Sequence, residues 1–296
     1  MIMISRIFLS IIFAVAAMTA FGGVKPESDD ARFNGDRCYS FGDYDTALKY
    51  YHRAVDLDPQ NVRAMTRIAM MHKRGLGVKR NYKTALDWYA KAAETGDAAS
   101  VFNMGTFYLS GHGVKQSYPE AMKLFTQASE MGCADASYQM GCLYFSGMGV
   151  EKDYLQALDW FQKAADHRYL AALVNIGFMC CNGYGVVKDP AIGVQWYLYA
   201  AKYGSADAMR NLGYAYSSGE GVDQDEEEAL MWYQKAATMG DKQSIAYLRS
   251  IGKYQAPETQ YEEVPLELTE EELAEDENVE EETEEPINYE PLPEMP

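Results

Sequence analysis

The chain has 296 residues, 48% of them apolar, and a formal net charge of −18 at neutral pH. That is enough apolar material for an ordinary packed core, and the acidic balance argues against general nucleic-acid binding, which depends on neutralising phosphates. The acidity is local. Residues 254–296 hold 17 Asp and Glu and no Lys or Arg, which leaves the rest of the chain nearly balanced.

The first segment, residues 1–22, reads as an export signal. Arg6 is the only charge before an apolar run from Ile7 to Ala17, and small residues follow as far as Gly23. Ala20-Phe21-Gly22 offers small side chains at the −3 and −1 positions of a cleavage site. Arg6 and Lys25 bracket 18 uncharged residues, so an uncleaved membrane anchor is the alternative. The expected location is the periplasm or outside the cell, with a membrane involved only if this segment is kept. No Cys lies here to carry a lipid, and no Asn-x-Ser/Thr acceptor occurs anywhere in the chain. Five cysteines (Cys38, Cys133, Cys142, Cys180 and Cys181) are odd in number and irregular in spacing. They suit small buried apolar residues better than a disulfide framework.

From residue 61 to residue 240 the chain repeats itself. A Gly-x-Gly-Val unit starts at Gly75, Gly111, Gly147, Gly183 and Gly219, each 36 residues after the last. Trp88, Leu124, Trp160, Trp196 and Trp232 keep that period, as do Gly96, Gly132, Gly204 and Gly240, with Arg168 the one departure. Each copy parses into two helices. In residues 97–132, Val101, Met104, Tyr108 and Leu109 have helical spacing. Gly111 and Gly113 end that helix, because Gly takes the left-handed cap conformation without steric cost. Val114 is expected to plug the junction between repeats.

Asn81, Ser117, Asp153, Asp189 and Asp225 are then N-caps of the second helices, with Pro190 at a first helical position. Ala69, Gly105, Gly141, Gly177 and Gly213 recur in mid-helix, where Gly costs about 1 kcal/mol relative to Ala. The cost makes sense if a partner helix crosses too closely for a side chain, with the ladder from Trp88 to Trp232 filling space on the second helices. One pair cannot bury its own apolar face, so the copies must stack. The expected fold is all-α: an α/α solenoid, a right-handed superhelix of helix-turn-helix repeats. Residues 241–252 close it as a lone capping helix. Residues 253–296, rich in Glu and Pro, are expected to be a disordered acidic tail with a transient turn at Thr269–Leu273 and an extended end from Pro286 to Pro296.

These residues resemble the Sel-1-like repeat family, related to the tetratricopeptide repeats. The match includes Asn211-Leu212-Gly213-x-x-Tyr216, Gly219-x-Gly221-Val222, Ala229-x-x-Trp232-Tyr233, Lys235-Ala236-Ala237 and Gly240. Residues 31–60 resemble one tetratricopeptide repeat through Gly35, Gly42, Asp43, Tyr44, Ala47, Tyr51, Ala54 and Pro59, with Ala31 and Asn34 weak for the expected large apolar residues. The resemblance implies a binding fold whose first helices line the concave face. A cysteine-rich secreted subgroup pairs cysteines within each repeat; this chain departs from that scheme, with Ser129 near one expected site, so no hydrolase activity carries over.

If the implied face holds, Arg67, Asn103, Gln139, Asn175 and Asn211 form a polar ladder on it, joined by Arg63 and Arg210. Carboxamides donate and accept at once, which suits the backbone of an extended peptide; the alternative is that they bond within the solenoid. Phe102, Tyr138, Phe178 and Tyr214 fall near the same face, as partner anchors or as packing between repeats. A basic run, Arg63, Arg67, Lys73, Arg74, Lys79, Arg80 and Lys83, contains no acidic residue between positions 61 and 83. It is a candidate receiver for an acidic segment, either the chain's own tail in cis or a partner that imitates it; the alternative is that both are simply solvated.

No catalytic constellation is found. His52, His72, His112 and His167 make no metal-binding pair, and the Gly-x-Gly-Val loops lack a Lys-Ser/Thr ending and follow helices. The expectation is no enzyme activity, no metal and no cofactor, and an exported scaffold for a protein or peptide partner. The alternatives are an assembly factor for envelope polysaccharide export, a secreted host-directed effector, and lastly a cell-wall-directed enzyme.

Overall fold

The computed structural model describes residues 25–256. The proposed export segment and nearly all of the acidic tail lie outside them. The described residues form thirteen helices and no strands, in an α/α solenoid of helix-turn-helix repeats. They fall into two units that divide at Lys152 and Asp153. The first holds α1 (Pro26–Ser40), α2 (Tyr44–Leu57), α3 (Val62–Arg74), α4 (Tyr82–Glu94), α5 (Ala98–Ser110), α6 (Tyr118–Glu130) and α7 (Ala134–Ser146). The second holds α8 (Tyr154–Asp166), α9 (Leu170–Asn182), α10 (Pro190–Lys202), α11 (Ala206–Ser218), α12 (Glu226–Thr238) and α13 (Lys242–Ser250).

Helix boundaries sit where local chemistry sets them. Gly75, Gly111, Gly147, Gly183 and Gly219 close the first helices in the left-handed region, with φ between 73° and 76°. All five expected N-caps accept a backbone N–H: Asn81 from Thr84, Ser117 from Glu120, Asp153 from Gln156, Asp189 from Ile192 and Asp225 from Glu228. Such a cap contributes about 1 kcal/mol.

The mid-helix glycines mark close crossings within each pair. A Cβ on Gly105 would lie 2.6 Å from the Phe125 ring, and one on Gly213 would lie 2.8 Å from Tyr233. The residue that fills this space is therefore one position beyond the tryptophan ladder. Tyr89, Phe125, Phe161, Tyr197 and Tyr233 are all buried. Of the tryptophans only Trp196 is fully buried; Trp88, Trp160 and Trp232 are half-buried and each carries a lysine over its ring at 4.1–4.2 Å. This corrects the expectation that the ladder from Trp88 to Trp232 fills the space: the neighbouring position, aromatic in all five copies, is the one that faces the glycine.

The second glycine of each Gly-x-Gly-Val unit has a different task from the first. A Cβ on Gly77 would meet the Tyr44 carbonyl carbon at 2.6 Å, one on Gly113 would meet Tyr82 Cβ at 2.7 Å, and one on Gly185 would meet the Tyr154 oxygen at 2.8 Å. Each loop thus presses on the first residue of the preceding repeat's second helix, and this contact fixes the stacking. Val114 packs against Ala69, Ala85, Tyr89 and Phe107 at such a junction. All five cysteines are free. Burial pushes the Cys180 thiol up to about 11, so it stays protonated and unreactive.

Candidate functional site: a groove on the first helices of the N-terminal unit

The first helices α1, α3 and α5 line a groove of about 520 Å³. Helical spacing places Arg63, Thr66, Arg67 and Met70 along one stripe of α3, and α1 supplies Arg32 and Asp36. Asn103 comes from α5, while Tyr89 reaches the groove from α4. Three of the sequence candidates, Arg63, Arg67 and Asn103, therefore share one surface. Arg74 lies one turn beyond Met70, close enough to Tyr89 to act on its hydroxyl electrostatically.

Asp36 organises the wall. Its carboxylate accepts from Arg32 Nη1 at 2.7 Å and from Tyr51 Oη at 2.8 Å, and forms an ion pair with Arg67 Nε at 3.2 Å. Burial first, then the Asp36 hydrogen bond, pushes the Tyr51 phenol far above its ordinary value, so it stays a donor. Arg67 also sits over the Tyr39 ring, 5.7 Å from its centroid. Arg67 is thereby held in place, while the exposed Arg63 has no ion-pair partner among the described residues. Asp36 and Arg32 escaped the sequence reading, although their i,i+4 spacing was the signal for an internal pair.

The other candidates are distributed as follows. Asn103 donates from Nδ2 to the Ala99 carbonyl at 2.8 Å, a bond within its own helix. Gln139 and Tyr138 on α7 are partly buried. Phe102 packs on Phe125, with ring centroids 5.5 Å apart. In the second unit, Asn175 and Asn211 are partly buried, while Phe178 and Tyr214 are 42% and 59% exposed. Arg210 is engaged, with Nη1 at 2.6 Å from Asp241 and 2.7 Å from Asp207. It ties α11 to the N-cap of α13 and serves as a structural clamp.

The basic run divides. Arg63, Arg67 and Arg74 follow the groove stripe. Lys79, Arg80 and Lys83 are exposed around the loop that follows α3 and do not line the groove. Arg80 stacks over Tyr82 at 5.5 Å, and Lys73 lies 5.6 Å from the Phe107 centroid, its ammonium pushed down by burial and then by Arg74. Among the described residues no group of three or more His, Cys, Asp or Glu is placed to hold a metal, and no helix is long and apolar enough to cross a membrane.

The Sel1 repeat family model matches residues 30–59, 62–97, 98–133, 134–169, 170–205 and 206–241. The chain belongs to the Sel1 repeat family. Its matched stretches include residues 30–59, which by sequence resemble a tetratricopeptide repeat. A Sel1 repeat protein from Oxalobacter formigenes is 40% identical, with a TM-score of 0.67, over 74% of this chain and 88% of that one. A protective antigen present in uropathogenic Escherichia coli strains, displaying an SLR fold, is 30% identical with a TM-score of 0.64. That match covers 76% of this chain but only 50% of the antigen, so this chain spans half its length. No curated protein matches the chain. Sel1 repeat proteins act in general as scaffolds that bind protein partners, and the family is typically non-catalytic.

Proposed function

We propose that this Sel1 repeat protein is an exported scaffold that holds an extended, acidic peptide segment of a partner protein in the groove of α1, α3 and α5. The carrying observation is the arrangement of cations on that surface. Asp36 neutralises Arg32 and orients Arg67, Asp97 lines the groove as the N-cap of α5, and Arg63 remains exposed, with Arg74 exposed one turn beyond the lining residues on the same stripe of α3. The apolar side chains of Val62, Met70 and Tyr89 supply contact area beside them. On an α-helix Arg63 and Arg67 are about 6 Å apart along the axis. Alternate carboxylates of an extended chain recur at about 6.6–6.8 Å. A Glu-x-Glu sequence therefore keeps step with the helix.

A synthetic peptide of residues 275–288, which carries Glu280-x-Glu282-x-Glu284, serves as the probe. Its fluorescence anisotropy on titration with the protein should show saturable binding that weakens as salt rises. The Arg63→Glu/Arg74→Glu variant should bind at least about tenfold more weakly, a loss of about 1.4 kcal/mol. Equal affinity for both proteins, or binding indifferent to salt, refutes the groove. Export rests on residues 1–22 and is tested separately. The protein recovered from its native host should start at Gly23 by intact mass and fractionate outside the cytoplasm; a cytoplasmic chain that keeps Met1 refutes it.

A further inference from the structure

Two first helices of the second unit carry an exposed aromatic side chain that their counterparts lack. Phe178 on α9 and Tyr214 on α11 stand 36 residues apart at one register and are 42% and 59% exposed. Met70, Thr106 and Cys142 hold that register in the first unit, and Ser250 holds it in α13. Phe102 and Tyr138 belong to a register four positions earlier, where Phe102 packs on Phe125. The exposed pair is therefore particular to these two helices and not a product of the repeat.

Each of the two rings has a carboxamide beside it. Asn175 and Asn211 precede Phe178 and Tyr214 by three residues, which sets each pair on one side of its helix with Cβ atoms about 5–6 Å apart. Both amides are partly buried, and neither makes a hydrogen bond among the described residues. Asn103, by contrast, is committed to its own helix. Phe178 is held in place: its ring centroid lies 5.8 Å from that of Tyr184, which stacks on Tyr154 at 4.8 Å.

Charge and spacing indicate the occupant. α9 carries no Asp, Glu, Lys, Arg or His. On α11, Arg210 is paired with Asp207 and Asp241, and in the flanking loops Lys188 is paired with Glu220 at 3.3 Å. A face whose charges are already answered complements an uncharged ligand. α9 and α11 pack side by side, and packed helices lie about 8–10 Å apart, so residues at one register recur across them at that interval. A polyproline II chain returns to the same face every three residues, a step of about 9.3 Å. A β-strand returns every two residues, at about 6.6–6.8 Å, and falls out of step. The polyproline II backbone makes no internal hydrogen bonds and proline has no N–H, so such a chain presents carbonyls to which the two amides can donate.

We propose that α9 and α11 form a docking face for an uncharged, proline-rich segment of a partner protein in the polyproline II conformation. The segment crosses both helices, sets successive turns on Phe178 and Tyr214, and accepts hydrogen bonds from Asn175 and Asn211. Because it is extended before it binds, little ordering entropy is lost. The face selects by ring and carbonyl contacts, whereas the groove of α1, α3 and α5 selects carboxylates.

The test is fluorescence anisotropy of a rhodamine-labelled, twelve-residue peptide of repeating Leu-Pro-Pro, titrated with the full chain. Binding should saturate and change less than about twofold between about 50 and 500 mM salt. Replacing every proline of the peptide by glycine keeps the leucines in place but gives a flexible coil, and should weaken binding at least about tenfold. The Phe178→Ala/Tyr214→Ala variant should lose at least about tenfold in affinity. Phe178→Tyr/Tyr214→Phe, which keeps both rings, should stay within about twofold of the wild type. Asn211→Asp exchanges a donor for an acceptor and should cost about fivefold. No saturation up to about 1 mM protein, equal binding of the glycine peptide, or undiminished affinity in the Ala variant overturns the proposal. The Arg63→Glu/Arg74→Glu variant should bind this peptide as the wild type does; loss of binding there also overturns it, so the two surfaces fail separately.

Discussion

Replacing Gly105 by Ala sets two effects of opposite sign against each other. In mid-helix α5, Ala is favoured over Gly by about 0.8–1.0 kcal/mol of intrinsic helix propensity. The added methyl, however, would lie 2.6 Å from Cε1 and 2.7 Å from Cδ1 of Phe125. Phe125 is fully buried and packed against Phe102, so its ring has no open space to move into. Overpacking of this kind costs about 1–3 kcal/mol, and the expected net effect is a loss of roughly 1 kcal/mol. That loss should appear as a fall in melting temperature of roughly 2–4 °C for a protein of this size. A double-mutant cycle isolates the cause. In a Phe125→Leu background the clash is gone, so Gly105→Ala should become neutral or stabilising, with a coupling energy of about 1–2 kcal/mol. Ala69 holds the same register position opposite Tyr89, so Ala69→Gly should lose about 1 kcal/mol of propensity without relieving a clash. Urea denaturation followed by far-ultraviolet circular dichroism measures all of these. If Gly105→Ala stabilises the wild-type protein, or the coupling is zero, the glycines are not there to let the helices approach.

Arg168 stands where other copies have Gly and is the one described non-Gly residue at positive φ, at 57°; its neighbour Tyr199 accepts a hydrogen bond from it. Arg168→Ala should lose that contact and keep the strain, whereas Arg168→Gly should be more stable than the Ala variant by about 1–2 kcal/mol. Equal melting temperatures would show that the site bears no strain. Burial holds both His52 and His72 below the ordinary imidazole value. Their unfolded forms therefore take up protons first, so stability is complete above about pH 6.5 and declines as pH falls below it. His72→Tyr, the residue found at this register in α5 and α7, should show a smaller drop in melting temperature between pH 7.5 and pH 5; an equal drop removes His72 from the explanation. Asp36→Ala strands the Tyr51 hydroxyl and releases Arg32 and Arg67, at a stability cost of about 1–2 kcal/mol. It should also tighten binding of the acidic probe by freeing two cations, and weaker binding would show that Asp36 does more than orient Arg67.

The architecture was legible because it is written in residues whose backbone needs are local. A glycine at a left-handed cap or an Asp before a helix acts within four residues of itself, so period and type suffice to place it. The stacking contact was less visible. Both glycines of each Gly-x-Gly-Val unit look alike as helix terminators, and only the approach of Gly77 to Tyr44, or of Gly185 to Tyr154, separates their tasks. The groove was half legible for a similar reason. Arg63, Arg67 and Asn103 follow the repeat register, but Arg32 and Asp36 lie in α1, where the pattern is weakest, and their link to Arg67 spans about thirty residues of sequence. Register also treated Arg210 as the equivalent of a free surface residue, though Asp207 and Asp241 both hold it.

The two ends of the solenoid solve one problem in different ways, and the difference bears on function. A stacked repeat buries each face against its neighbour, so the first and last helices alone must meet water or something else. In the N-terminal unit the groove wall is built on buried Tyr51, with a carboxylate and two guanidinium groups fixed around it. A rigid polar surface of that kind loses little entropy when a ligand arrives, which favours selective binding over general adhesion. In the C-terminal unit the open surface beside α12 is lined by Leu230, Met231 and Leu248 with Lys235 and Lys253, and the Gln234 carboxamide is already bonded to the chain's own backbone at Gln255. On the proposed reading, recognition of an acidic partner falls to the N-terminal groove, where the exposed Arg63 has no ion-pair partner among the described residues.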